Sequence, residues 1–187
     1  MRKNEEKLLI DSNSYFRLAQ NLHPLLNNPF GKDNYCINIL KECDKEYNKN
    51  TGLQNKFTWV NQEEYKENRK NQIFYNDSTE NAIYNNLNFI KLFAREKHLL
   101  VSEVDLKYLA TALELEITLI TDDSDMIEVA NEFEIKVLKS LELLKLMCDS
   151  DFITKEKVKE ITDYWCYLKD KPKDFKKDCK KLFDFDY

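Results

Sequence analysis

The run ITLIT at 117–121 most narrows what this chain can become. It is short, β-branched and almost continuously apolar, as a strand buried on both faces of a parallel sheet must be. KLLI at 7–10 has the same character, and IKVL at 135–138 follows shortly after ITLIT. Amphipathic segments lie between them. Ile83, Leu87, Ile90 and Phe93 or Ala94 share one face of a helix over 79–95, and Leu106, Leu109, Ala110 and Leu113 share one over 103–115. Strand and helix therefore alternate from 7 to 138. That order predicts an α/β fold: a three-layer α/β/α sandwich around a central, mainly parallel sheet.

Local signals supply the other elements. SNSYFRLAQNLHPLL reads as a helix capped by Ser12 or Asn13 and ended or kinked by Pro24. Tyr35, Ile39, Leu40, Cys43 and Tyr47 recur at threes and fours, which predicts a helix over 34–49. FTWV at 57–60 is rich in strand formers and predicts the second strand. Asn61 and Glu64 have the spacing of a capping box for a helix over 62–70. DDSD is a loop and MIEVANEF a short helix. Residues 1–144 form the predicted α/β domain, and 145–187 a helical C-terminal extension packed on or beside it. Within the extension, Val158, Ile161, Trp165 and Leu168 mark the inner side of a helix over 153–168. KDKPKDFKKDCKK at 169–181 is locally basic, but Asp170, Asp174 and Asp178 dilute its field. It reads as a solvated helix or a partner-binding arm.

Composition excludes several classes. A chain of 187 residues holds one domain with a real core. A net charge of −5 argues against a passive nucleic-acid coat, which would be basic. It argues less against a nuclease, whose site carboxylates count as negative until a cation arrives. With two glycines there is no glycine-rich phosphate loop, which disfavours a Walker-type ATPase and a Rossmann dinucleotide binder. Five cysteines with no CxxC pair read as reduced thiols of a cytoplasmic protein rather than zinc ligands. The opening MRKNEEKLLID lacks a signal-peptide core, and no run approaches the roughly 20 apolar residues of a membrane span.

The acids carry the functional argument. Singly, each has an ordinary role: Asp11 as a helix cap, Asp105 as a helix-terminal charge, and Asp122, Asp123 and Asp125 as a loop. Together, Asp11 and Asp123 follow strand-like runs, and ligand sites in parallel sheets lie beyond the carboxyl ends of strands. Carboxylate oxygens suit the hard cations magnesium and manganese. Two such ions about 4 Å apart can drive phosphodiester cleavage with carboxylates drawn from distant parts of a chain and no histidine.

LLIDSNSYFRLA resembles the opening strand, aspartate and following small polar residue of the PIN-domain family of metal-dependent nucleases, with Asp11 and Asn13 in those places. VDLKYLATALELEITLITDDSDMIEVANEFEIKVL resembles the family's aspartate-bearing helix, buried strand, T-x-D turn, short helix and final strand. On that match Asp105 is the third acid, Asp123 the fourth, Thr121 the threonine of the turn and Asp125 a frequent extra acid. The family places its second acid, a glutamate, in the helix after the second strand. FTWVNQEEYKENRK offers Glu63, Glu64 and Glu67, and register favours Glu67. The resemblance spans roughly residues 7–140.

The resemblance implies an endoribonuclease using Mg2+ or Mn2+ in a two-metal hydrolysis, with RNA as substrate and single-stranded DNA as the alternative. It also implies homodimers and, for a toxin of this family, a cognate antitoxin. Asp11, Asp105 and Asp123 would hold the better-bound metal, and Glu67 and Asp125 would help with the second. Asn13, Thr121 and Ser102 would hydrogen-bond the carboxylates or a bound water. Arg17, Lys66, Arg69 and Lys70 are the candidate phosphate anchors. The competing expectation is a catalytically weak or inactive module on the same fold, binding nucleic acid or protein.

Overall fold

The computed structural model describes residues 5–70 and 72–187; the first four residues of the expected domain lie outside them. Strands β1 (Glu6–Ile10), β2 (Tyr35–Asn38), β3 (Thr118–Ile120) and β4 (Val137–Leu138) form one four-stranded sheet in the order β2-β1-β3-β4, and every pairing is parallel. Leu8, Leu9 and Ile10 are all buried, as are Leu119 and Ile120, so consecutive residues on both faces of the central strands are covered. Helices cover both faces, giving a three-layer α/β/α sandwich with further C-terminal helices. The chain leaves β1 for β2 on one side and returns to β3 on the other. The carboxyl ends of β1 and β3 therefore flank a topological switch point, where such sheets open a crevice.

The helices are α1 (Ser12–Leu18), α2 (Glu42–Lys49), α3 (Thr51–Lys56), α4 (Glu63–Arg69), α5 (Asp77–Glu96), α6 (Glu103–Leu115), α7 (Ser124–Glu132), α8 (Ser140–Asp149), α9 (Lys155–Tyr167) and α10 (Phe175–Phe183). Helix α6 has the predicted bounds and its Ser102 cap. The strand expected at 117–121 is present at its centre, and the one expected at 135–138 is confined to its last two residues.

Four readings are overturned. Residues 34–49 are not one helix: Tyr35–Asn38 is the edge strand β2, and only Glu42–Lys49 is helical. Cys36, Ile37 and Asn38 are buried in succession, a pattern of strand burial that the three-and-four spacing of their neighbours had masked. Pairing with β1 decides the matter. FTWV is not the second strand either; Thr58–Asn61 is a 3-10 turn. Its aromatic residues join a cluster instead of a ladder: Phe57 stacks on Phe16 with ring centroids 5.4 Å apart, and Trp59 lies 4.4 Å from Tyr65. Helix α4 then starts from Gln62, whose side chain makes no cap, so the Asn61 capping box is absent. Helix α1 stops at Leu18, well before Pro24.

The C-terminal extension shares the main core. Val158, Ile161, Trp165, Phe175, Cys179 and Phe183 belong to the same buried cluster as the sheet residues. Trp165, 1% exposed, also donates its indole N–H to the Arg17 carbonyl at 3.1 Å. No helix among the described residues is long and apolar enough to cross a membrane.

A shared core has a direct consequence. Trp165→Ala removes a buried ring and its hydrogen bond, and is expected to cost about 3–5 kcal/mol. In urea unfolding followed by both fluorescence and far-UV dichroism, one shared transition should move to lower denaturant. An unmoved midpoint, or a separate early transition for the extension alone, contradicts the packing described.

Candidate metal centre

Asp11 follows β1 and is 3% exposed. Its backbone N–H continues the ladder to the Ile120 carbonyl at 3.0 Å, which places the side chain at the switch point. Each carboxylate oxygen has a donor. The Ser14 backbone N–H donates to Oδ1 at 2.6 Å, making Asp11, rather than Ser12 or Asn13, the N-cap of α1. The Thr121 hydroxyl donates to Oδ2 at 2.5 Å. Burial nevertheless pushes the Asp11 carboxyl up to about 7; the Thr121 and Ser14 bonds oppose the rise, and neighbouring Asp122 adds to it.

Thr121 also accepts from the Asp123 backbone N–H at 3.1 Å, so one buried hydroxyl connects the ends of β1 and β3. Asp123 is the N-cap of α7, and its Oδ1 accepts from the N–H groups of Asp125 and Met126, both at 2.9 Å. Asp105 is tied into the α6 capping box: Ser102 N–H donates to its Oδ2 at 2.8 Å. Burial raises the Asp105 carboxyl, and the charge of Asp123 raises it further.

The remaining neighbour was not anticipated. Glu46, on α2, lies beside Ser12 and Asp105; burial raises its carboxyl against the Ser12 hydroxyl, and Asp105 adds to the rise. Glu46 Oε2 is buried with no hydrogen-bond partner among the described residues. The buried hydroxyls of Ser12 and Ser14 likewise close no bond of standard geometry. Tyr108, also missed in sequence, brings another buried, unsatisfied hydroxyl to the Ser12 and Asp11 side. Hydrogen bonds through Thr121 join Asp11 to the Asp123 backbone, and Asp11 and Asp123 line one pocket; Asp105 and Glu46 do not line it and bear on the other acids through charge alone.

The other expected residues are placed differently. Glu67 is exposed on α4 and pairs with Lys70. The strand whose register favoured it is the 3-10 turn, so that reason for choosing it is gone. Glu63 and Glu64 are exposed in the same helix. Asp125 Oδ2 accepts from the Leu100 N–H at 2.7 Å and steadies the loop before α6. Arg69 is 3% exposed, donates to Asp44 at 2.8 Å and lies over the Tyr15 ring, so it braces helices instead of meeting solvent. Arg17 pairs with Asp122 and with Asp170, at 3.5 Å in the second case. Lys66 is exposed on α4, and Asn13 lines the pocket above Asp11.

Carboxylate oxygens, with an orphaned one on Glu46, are donors of the type a hard divalent cation takes. They do not form a coordination shell as placed: among the described residues no three His, Cys, Asp or Glu side chains stand close enough to hold a metal ion. Mutual repulsion of carboxylates favours such spreading. Each carboxylate has about four lone-pair sites, so the cap bonds leave acceptor capacity on all of them.

The raised Asp11 carboxyl sets a pH dependence. In the unfolded chain Asp11 loses its proton near 3.8, whereas the folded chain keeps it to about 7. Stability therefore falls as pH rises through that window and levels off above it. The contribution of this one group is on the order of 4 kcal/mol, and Glu46 and Asp105 act in the same direction. Urea midpoints in chelator at the two ends of the window should show the loss, and Asp11→Asn should remove most of it. An equal pH slope in the variant contradicts the assignment.

Compared with known proteins, the chain matches no family model, no curated protein and no solved structure.

Proposed function

We propose that this chain is a PIN-like, metal-dependent nuclease hydrolysing phosphodiester bonds of RNA, with Glu46 rather than Glu67 as its second acid. The observation that carries the reading is the Thr121 hydroxyl joining Asp11 to Asp123 at the carboxyl ends of adjacent strands. Glu46 supports it because α2 follows β2, the observed second strand, where the PIN pattern keeps its glutamate.

Asp11, Glu46, Asp105 and Asp123 would hold magnesium or manganese. The bound ion would supply positive charge to polarise the phosphoryl group and offset charge on the leaving oxygen. Thr121 and the Ser14 N–H fix the orientation of the Asp11 carboxylate. The Ser102 box and the α7 cap do the same for Asp105 and Asp123. Burial of Asp11 disfavours its charge without a cation and favours exchange of its proton for one.

The side chains as they stand favour a second reading, a weak or inactive module that binds nucleic acid or protein. Asp105 and Asp123 are engaged in helix caps, and no three acids among the described residues form a coordination set.

One digestion panel separates the two. Single-stranded RNA and DNA oligonucleotides are incubated with protein and manganese, beside a chelator control. The nuclease reading expects metal-dependent cleavage, lowered at least about 100-fold by Asp123→Asn and by Glu46→Gln. It expects Glu67→Gln to cleave like the parent. Binding without cleavage by the parent would establish the second reading. Loss with Glu67→Gln but not with Glu46→Gln would refute the reassigned acid.

A further inference from the structure

We infer that the C-terminal extension forms the outer wall of the acidic cleft and grips a single-stranded phosphodiester backbone through Lys171 and Lys173. The choice of ligand rests on the nucleic-acid reading above; the wall itself is a matter of packing.

A pocket of about 230 Å³ opens above Asp11 and Asp123. Asp170, Lys171, Pro172 and Lys173 of the extension line it together with Arg17, Lys56 and Phe57. Its volume is below the roughly 300–1,000 Å³ of a drug-sized ligand site. It suits a phosphate or sugar-phosphate unit, with bases left outside.

The wall is held rigidly. Helix α9 ends in a paired closure, with the Lys169 N–H donating to the Cys166 carbonyl at 3.2 Å and the Asp170 N–H to the Trp165 carbonyl at 3.0 Å. Lys169 has φ 55°, so the chain turns sharply there. Asp170 is then clamped by Lys56 at 3.0 Å and Arg17 at 3.5 Å. Pro172, buried between two exposed lysines, fixes the backbone of the turn.

Charge selects the ligand. Arg17 and Lys56 are neutralised by Asp122 and Asp170. Lys171 and Lys173 have no ion pair among the described residues, and both stand at the rim. Of the three acids in this basic segment, Asp170 is taken up by Arg17 and Lys56 and Asp178 pairs with Lys139 at 3.7 Å, which leaves exposed Asp174 against the two lysines. Two exposed lysines beside the pocket, with no ion pair among the described residues, suit the phosphates of a polyanion.

The test uses the full chain, and Lys171→Gln/Lys173→Gln as one double variant. Both side chains are exposed, so the variant should melt like the parent. Binding of fluorescein-labelled oligouridylate and oligothymidylate is followed by anisotropy across a salt series in chelator, where no cleavage can occur. Two lost phosphate contacts should lower the slope of log affinity against log salt by about 1.4. A control, Lys176→Gln/Lys177→Gln, changes exposed lysines of α10 outside the pocket and should leave the slope alone. A lowered slope with either strand supports the wall and shows which sugar it accepts. An unchanged slope for both strands, an equal drop in the control, or a parent that binds neither strand overturns it. Because the readout needs no metal, a chain that shows the slope change but never cleaves retains the wall and loses the nuclease. One that cleaves with no slope change loses the wall alone.

Discussion

The bond between the Thr121 hydroxyl and the Asp11 carboxylate is the contact on which the rest of this site depends. Both residues lie at the carboxyl ends of neighbouring parallel strands and both are buried. A carboxylate in that position would be costly without donors. It receives one from Ser14, which also starts α1, and one from Thr121, which also orients the start of the loop to α7. The same atoms therefore complete the sheet end, begin helices on both sides of it and present an acid to the crevice. The desolvation these donors leave uncompensated shows in the raised Asp11 carboxyl, which keeps its proton to about 7.

Around this centre, charge is sorted into structural and available groups. Asp122 is fully committed: Arg17 pairs with it, and Ser140 donates to it through N–H at 3.0 Å and hydroxyl at 2.6 Å, starting α8. Trp165 holds the Arg17 carbonyl, and its ring lies 5.9 Å from the guanidinium carbon. The extension is thereby fastened to α1 and to the loop after β3. Asp11, Asp105 and Glu46 instead keep carboxyls raised by burial. Of adjacent acids in the run DDSD, one holds the architecture and the next faces the site, a division set by partners rather than by residue type.

Much of this was legible where local pattern and tertiary environment agree. ITLIT is a central strand because its residues are buried on both faces; the Ser102 cap and the apolar stripe of α6 specify that helix unaided. The turn from Thr121 to Asp125 carries its hydrogen bonds within five residues, so Thr121 and Asp123 could be singled out locally, whereas Asp11 and Asp105 were singled out by the resemblance to a family pattern. Beyond that, long-range packing prevailed. Tyr35–Asn38 has helical spacing to its neighbours, yet β1 recruits it to the sheet edge. That misreading moved the search for the second acid to FTWV and past Glu42 and Glu46, four residues apart on the helix that does follow β2. Nothing local distinguishes Arg69, buried over Tyr15, from the exposed Lys70 beside it in sequence. Reading YCIN as a strand was the one signal that would have led to Glu46.

On the proposed function, residues 11, 46, 105 and 123 share one cation-binding crevice. Manganese anomalous scattering from soaked crystals addresses it most directly. The account predicts a peak bounded by these carboxylates, with Glu46 turned toward it and Glu67 remote. A peak coordinated through Glu67, or an empty crevice at saturating manganese with Glu46 directed away, would contradict it.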